Sequence, residues 1–296
     1  MKIAKPFTGI LAFIVVLITM PLGHATMIAM DALLGHQYIY LAAGMLGFTG
    51  LFLAIWGVVL NKQVPSTFLG LFAGLFIWTG WIEFSFVYFS RRYEVAPLLE
   101  NGVVVTKPEY LLMPSSIGFL SVILIYYLLS SKSGCQFFSW FQQKLNISRF
   151  IQLRPSRHPI AITTMMEVIV ILWTFYLLLL FVYDSTFFGD RHLATYVVAF
   201  GSLLWSGILV VRLLRINSIA YAIRYAIPTV IIFWNFVEIL GRWNLLKEIW
   251  IEPMNYPLEM TVFFGVMVLL ILYATMGSKQ QRPVRVSEHQ NRSPRK

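Results

Sequence analysis

A single cysteine, Cys135, in 296 residues rules out an intrachain disulfide and leaves no set of thiolates for a structural zinc or an iron–sulfur cluster. Charge is scarce as well. Asp, Glu, Lys and Arg make up 12% of the chain, too little to solvate the surface of a globular protein of this length. Several catalytic signatures are also absent: the sequence has no Walker loop, no dinucleotide-binding glycine fingerprint, no His-Glu-x-x-His and no Gly-x-Ser-x-Gly. The chemistries that depend on those motifs are thereby set aside.

What is present is apolar. Hydrophobic residues reach 58%, with 24 Phe, 14 Tyr and 9 Trp, and the mean hydropathy is +0.73. Lipid is the solvent such a composition requires, with the aromatic rings facing acyl chains and forming interfacial belts. The net charge of +10 would suggest nucleic acid in a soluble chain. Here it is explained by basic loops that meet anionic lipid, and nucleic-acid binding is not expected.

A spanning helix needs about 20 largely apolar residues. Eight stretches fit, near residues 7–27, 38–60, 67–90, 114–131, 160–183, 193–214, 221–240 and 260–277. The expected fold is therefore all-α, a polytopic transmembrane bundle of eight helices. With the N-terminus inside, 17 of the 23 basic residues fall on inner segments and nine of the 13 acids fall outside. Retention of Lys and Arg on the cytoplasmic side then predicts an inner-membrane protein with both termini cytoplasmic. Lys2, Lys5, the apolar run to Met20, Pro21 and Gly23-His24-Ala25 also match a cleavable secretory signal. Cleavage near residue 25 would leave seven helices, but the apolar character that resumes in Met27-Ile28-Ala29-Met30 favours a retained span.

Four parts follow: a first four-helix half over 1–131, a basic and aromatic connection over 132–159, a second half over 160–277, and a basic tail over 278–296 expected to be disordered. The connection mixes Phe137, Phe138, Trp140 and Phe141 with Lys and Arg, which suits a helix lying on the bilayer surface. A parallel 4+4 internal repeat is suggested by a shift of 156 residues, which sets His36, Tyr40, Ala43 and Trp78 against His192, Tyr196, Ala199 and Trp234. One feature opposes it. Glu83 follows Trp78 by five residues and Glu238 follows Trp234 by four, which in regular helices rotates one carboxylate by about 100°.

Three acids fall inside the expected spans, and an ionisable group in lipid costs at least about 3 kcal/mol unless it faces a partner or a wet cavity. Glu83 and Glu238 lie toward the outer ends of their helices and Glu167 in the inner third of its own, which makes it a candidate for a separate layer. The expected ligand or proton site joins Glu83 and Glu238 to His36, His192, Tyr40 and Tyr196. His36 and Tyr40 share a helix face that continues in Ala43, Gly47 and Gly50, small enough for close packing. Trp78 and Trp234 beside the carboxylates suit a cage for a cation. The competing readings are hydrogen-bonded packing between helices for the carboxylates and interfacial anchoring for the His, Tyr and Trp side chains.

The favoured function is a transporter of a small solute or ion, in which protonation of the carboxylates is coupled to exposure of the site. Two other classes share the same residues: a membrane-embedded redox or metal-binding protein, and a non-catalytic subunit that packs against a membrane-protein partner. The redox or metal class would ligate a metal through His24, Asp31 and His36, or bridge one haem between His36 and His192. The sequence names no cofactor. The expected partners are the lipid bilayer and a small polar or cationic ligand.

Overall fold

The computed structural model describes residues 5–100, 103–129, 136–149 and 158–278, without the side chains of His36, Gln37, Glu100, Val103, Gln136, Ser148, Gly277 and Ser278. Among the described residues eight helices are long and apolar enough to cross a membrane: α1 (Phe7–Gly35), α2 (Tyr38–Leu60), α3 (Gln63–Arg92), α4 (Pro108–Leu129), α6 (Ile160–Tyr183), α7 (Leu193–Leu213), α8 (Ile219–Arg242) and α9 (Pro257–Met276). A short helix, α5 (Gln136–Lys144), lies between α4 and α6. Helices suit this solvent because they satisfy every interior backbone N–H and C=O within one segment. The chain is a multi-pass membrane protein.

The spanning helices alternate between two environments. In α1, α3, α6 and α8 half or more of the central window is buried, 50% to 61%, against 11% to 28% in α2, α4, α7 and α9. An inner core of four helices is thus wrapped by four outer ones. The core between α3, α6 and α8 is built from residues such as Leu71, Ile171, Ile223 and Ile227, each almost completely buried. Apolar surface on the outer helices, for example Phe119, Leu204 and Leu269, faces outward as lipid contact demands.

Three boundaries differ from those expected. Helix α1 runs to Gly35 instead of stopping near residue 27, and the chain reverses into α2 at once. Gly35 has φ 62° and ψ 179°, a conformation that only glycine adopts without strain. At 29 and 30 residues, α1 and α3 are each about 45 Å long and project beyond the roughly 30 Å hydrocarbon core. Their extended ends are clamped by Asp31 and Arg91, at 2.9 and 3.1 Å. Helix α4 starts at Pro108, which suits a first-turn proline, and Pro114 is absorbed in a 3₁₀ turn over Met113–Ser116.

Between α3 and α4 the chain forms a small antiparallel hairpin, β1 (Leu98–Glu100) with β2 (Val103–Thr106). The all-α expectation did not include it, although Asn101-Gly102 between Leu98-Leu99 and Val103-Val104-Val105 is a strong hairpin signal. Helix α5 packs on protein. Phe138 and Gln142 are buried, Phe137 lies against Trp205 of α7, and the Gln142 amide donates to the carbonyls of Tyr127 and Leu128 at the end of α4. Residues 132–135 and 150–157 of the expected 132–159 connection, and the tail after 278, lie outside the described residues.

Candidate functional site

The wide turn in α3 sets the geometry of the site. Residues Trp78–Glu83 form a π-helical segment, whose hydrogen bonds reach one residue further than those of an α-helix. The extra residue is taken up within the turn, so Glu83 stands one turn beyond Trp78, just as Glu238 stands one α-turn beyond Trp234. The 100° offset expected from regular helices does not arise. Packing against α2 accompanies the wide turn. A Cβ at Gly80 would lie 2.5 Å from the Ala43 carbonyl oxygen, and Trp81 covers Gly47 while donating its indole N–H to the Gly44 carbonyl at 3.1 Å. The small-residue face of α2 thus admits the bulge.

Glu83 and Glu238 line one cavity of about 400 Å³, between the inner helices and the end of the bundle that carries the hairpin and the loop 243–256. Trp78, Trp234, His24, Glu248 and three tyrosines, Tyr110, Tyr176 and Tyr183, share it. Trp234 donates its indole N–H to Glu238 Oε1 at 2.7 Å, and His24 Nε2 lies 3.5 Å from the same oxygen. The Tyr176 ring packs against both Trp78 and Tyr110. Residues Val104 and Ile251 of the lining are exposed, so the cavity reaches the surface at the loop end.

Arg242 secures the roof. Its guanidinium donates to Asp190 at 2.9 Å, to Thr106 Oγ1 at 3.2 Å and to the Val105 carbonyl, and it lies 4.7 Å from the centre of the Tyr183 ring. Strand β2 and the loop between α6 and α7 are therefore tied to α8 through one side chain. The Glu248 carboxylate occupies the space over Gly241 where a side chain would begin. Burial first, and then the Glu238 charge, push its pKa up to about 7, with His24 opposing.

Among the described residues three buried side-chain polar atoms find no hydrogen-bond partner: Glu83 Oε1, Tyr183 Oη and Glu248 Oε1. All three belong to residues that line this cavity. Buried polar groups are nearly always paired, and the exceptions cluster in this one place.

Of the other residues expected in the site, His192, Tyr196, Tyr40 and Glu167 lie elsewhere. His192 is an exposed helix cap, its Nδ1 accepting from the Ala194 N–H at 3.1 Å and its ring against Phe188. Tyr196 stacks on Trp243 at 4.6 Å and Tyr40 meets Tyr88 edge-on, both outside the cavity lining. The side chain of His36 lies outside the described residues. Glu167, buried to 1% exposure, forms a bidentate pair with Arg224 at 2.6 and 3.2 Å and is not part of the cavity. The histidine that meets Glu238 is His24, which an α1 ending at residue 27 would have placed near the interface. Tyr176 and Tyr183, seven apart on α6, were also readable as one helical face.

Among the described residues no three His, Cys, Asp or Glu side chains converge as a metal-ligand set. Comparison with protein families, with characterised proteins and with solved structures gives no match.

Proposed function

We propose that this membrane protein is a transporter of a small solute or ion, with Glu83 and Glu238 as its coupled binding and protonation site. The observation that carries the reading is the state of Glu83. Its side chain is 5% exposed in an apolar bundle, faces a cavity, and keeps one oxygen unpartnered. Glu167 in the same bundle illustrates the structural alternative, a carboxylate held by a bidentate arginine. A group that costs at least about 3 kcal/mol in lipid, yet keeps a buried oxygen without a partner, is retained for what it binds.

The mechanism follows from charge balance. Glu83, Glu238 and Glu248 face His24 across the cavity, and their mutual repulsion in a low-dielectric site falls when a proton or a cation enters. Neutralising the cluster removes most of its desolvation penalty and frees the inner helices to shift against the outer ones. The bias of Lys and Arg toward the terminal end supports an orientation with both termini cytoplasmic and the cavity facing outward, in the inner membrane.

Reconstitution into liposomes holding a pH-sensitive dye tests this. A solute panel applied outside should move protons through the parent protein, and Glu83→Gln and Glu238→Gln should abolish that flux while remaining folded and monodisperse. The amide keeps the size and much of the hydrogen bonding but cannot release a proton. Flux at parental rate in both variants refutes the reading.

A further inference from the structure

We infer that the cavity takes a small organic ammonium ion, its N–H donors satisfying Glu83 and Glu248 and its apolar body lying between Trp78, Trp234 and Tyr176. This rests on the transport reading for its consequence, while the binding chemistry stands without it. The unpartnered atoms decide the polarity of the ligand. Ionised carboxylates only accept hydrogen bonds, and a tyrosine hydroxyl accepts as well as donates, so Glu83 Oε1, Glu248 Oε1 and Tyr183 Oη together call for donors.

The charges of the lining decide the sign. Glu83, Glu238 and Glu248 are set against His24, Lys107 and Arg242. Arg242 is already committed to Asp190, Thr106, the Val105 carbonyl and the face of Tyr183. His24 is engaged with Glu238 alone among the acids within ion-pair distance. With Lys107 counted and Glu248 ionised, as it is above about pH 7, the cavity has an excess of negative charge that one cation would offset.

Size and wall chemistry decide the rest. A volume of about 400 Å³ is at the small end of the usual range for organic ligands and far more than a bare inorganic cation fills. No three acidic or histidine ligands converge on a point among the described residues, as a dehydrated metal ion requires. The aromatic walls have a role with an organic cation, because ring faces attract an ammonium and the rings cover its hydrocarbon.

The test uses the full chain purified in micelles and three molecules of one shape: 2-phenylethylammonium, neutral 2-phenylethanol and anionic phenylacetate. Tryptophan emission reports binding, since Trp78 and Trp234 line the cavity. The ammonium should give a saturable change, weakened about tenfold or more in Glu83→Gln, as loss of a charged hydrogen-bond partner implies. Gly241→Ala, which displaces the Glu248 carboxylate without altering charge, should weaken it as well and serves if the Gln variant does not fold. Equal or tighter saturation by the alcohol or the anion, or ammonium binding unchanged in both variants, overturns the inference. The two readings fail separately. Saturable ammonium binding without uptake of labelled ammonium into liposomes sustains the site and refutes transport; Glu83-dependent proton flux with no ammonium preference does the reverse.

Discussion

The pair between Glu167 and Arg224 offers the sharpest measurement of how this bundle handles charge. Its bidentate contacts of 2.6 and 3.2 Å, with Glu167 at 1% and Arg224 at 16% side-chain exposure, place both ions out of water. Substituting Arg224→Met keeps the length of the stem and leaves the carboxylate without its main counter-ion. Breaking one side of a buried pair costs about 3–5 kcal/mol, which for a chain of this size is a fall on the order of 10 °C in Tm. Glu167→Gln should cost less, because Arg224 retains some exposure and a long stem with which to reach the terminal interface. Removing both charges in Glu167→Leu/Arg224→Met should recover most of the loss, since the desolvation penalty of both ions disappears together. Thermal unfolding in micelles, followed by size-exclusion, measures all three. A single Arg224→Met as stable as the parent, or a double variant no better than the singles, refutes the reasoning. Flux retained by the double variant would also separate Glu167 from the transport site.

Other outcomes are expected of the loop end and the cavity. On a Cys135→Ser background, Glu100→Cys should react with an impermeant maleimide added from outside; labelling only from within would reverse the orientation. Cation binding should strengthen as pH rises through about 7 and level off above it, because Glu248 sheds its proton there and a cation prefers the carboxylate. Glu248 titrates beside Glu238, His24 and Tyr183, so Glu248→Gln must flatten that rise for the assignment to hold.

The fold was legible where the physics is local. Eight stretches of sufficient length and apolarity give eight helices, and the extra cost of a charge in lipid drew attention to Glu83 and Glu238, which the fold brings to one cavity. What escaped notice depends on contacts between helices. The end of α1 is fixed by a glycine reversal and by an ion pair to α3, and local apolarity encodes neither. The five-residue interval from Trp78 to Glu83 reads as a rotation only if α3 is regular, and its π-turn is accommodated by Gly47 and Gly80 at the α2 crossing. Which histidine meets Glu238 is a matter of packing, and no spacing along the chain encodes it. The hairpin was different: Asn101-Gly102 announced it.

The division into inner and outer helices bears on how the chain enters the bilayer during synthesis. A nascent segment partitions by its own apolarity, before its eventual neighbours exist. Glu167 is made 57 residues before Arg224, so it must be threaded into lipid with its counter-ion still in the ribosome. It rides in α6, the most apolar of the eight helices, whose run of leucine, isoleucine and phenylalanine offsets the roughly 3 kcal/mol that a carboxylate costs the insertion machinery. Helices α3 and α8 have no such reserve: they are the least apolar and the most buried, and they carry Glu83, Glu238 and Arg224. Their retention at the translocon until flanking helices arrive would make assembly of the core a late, cooperative event. Truncated chains ending after α3 should accordingly cross-link to the insertion machinery longer than chains ending after α6.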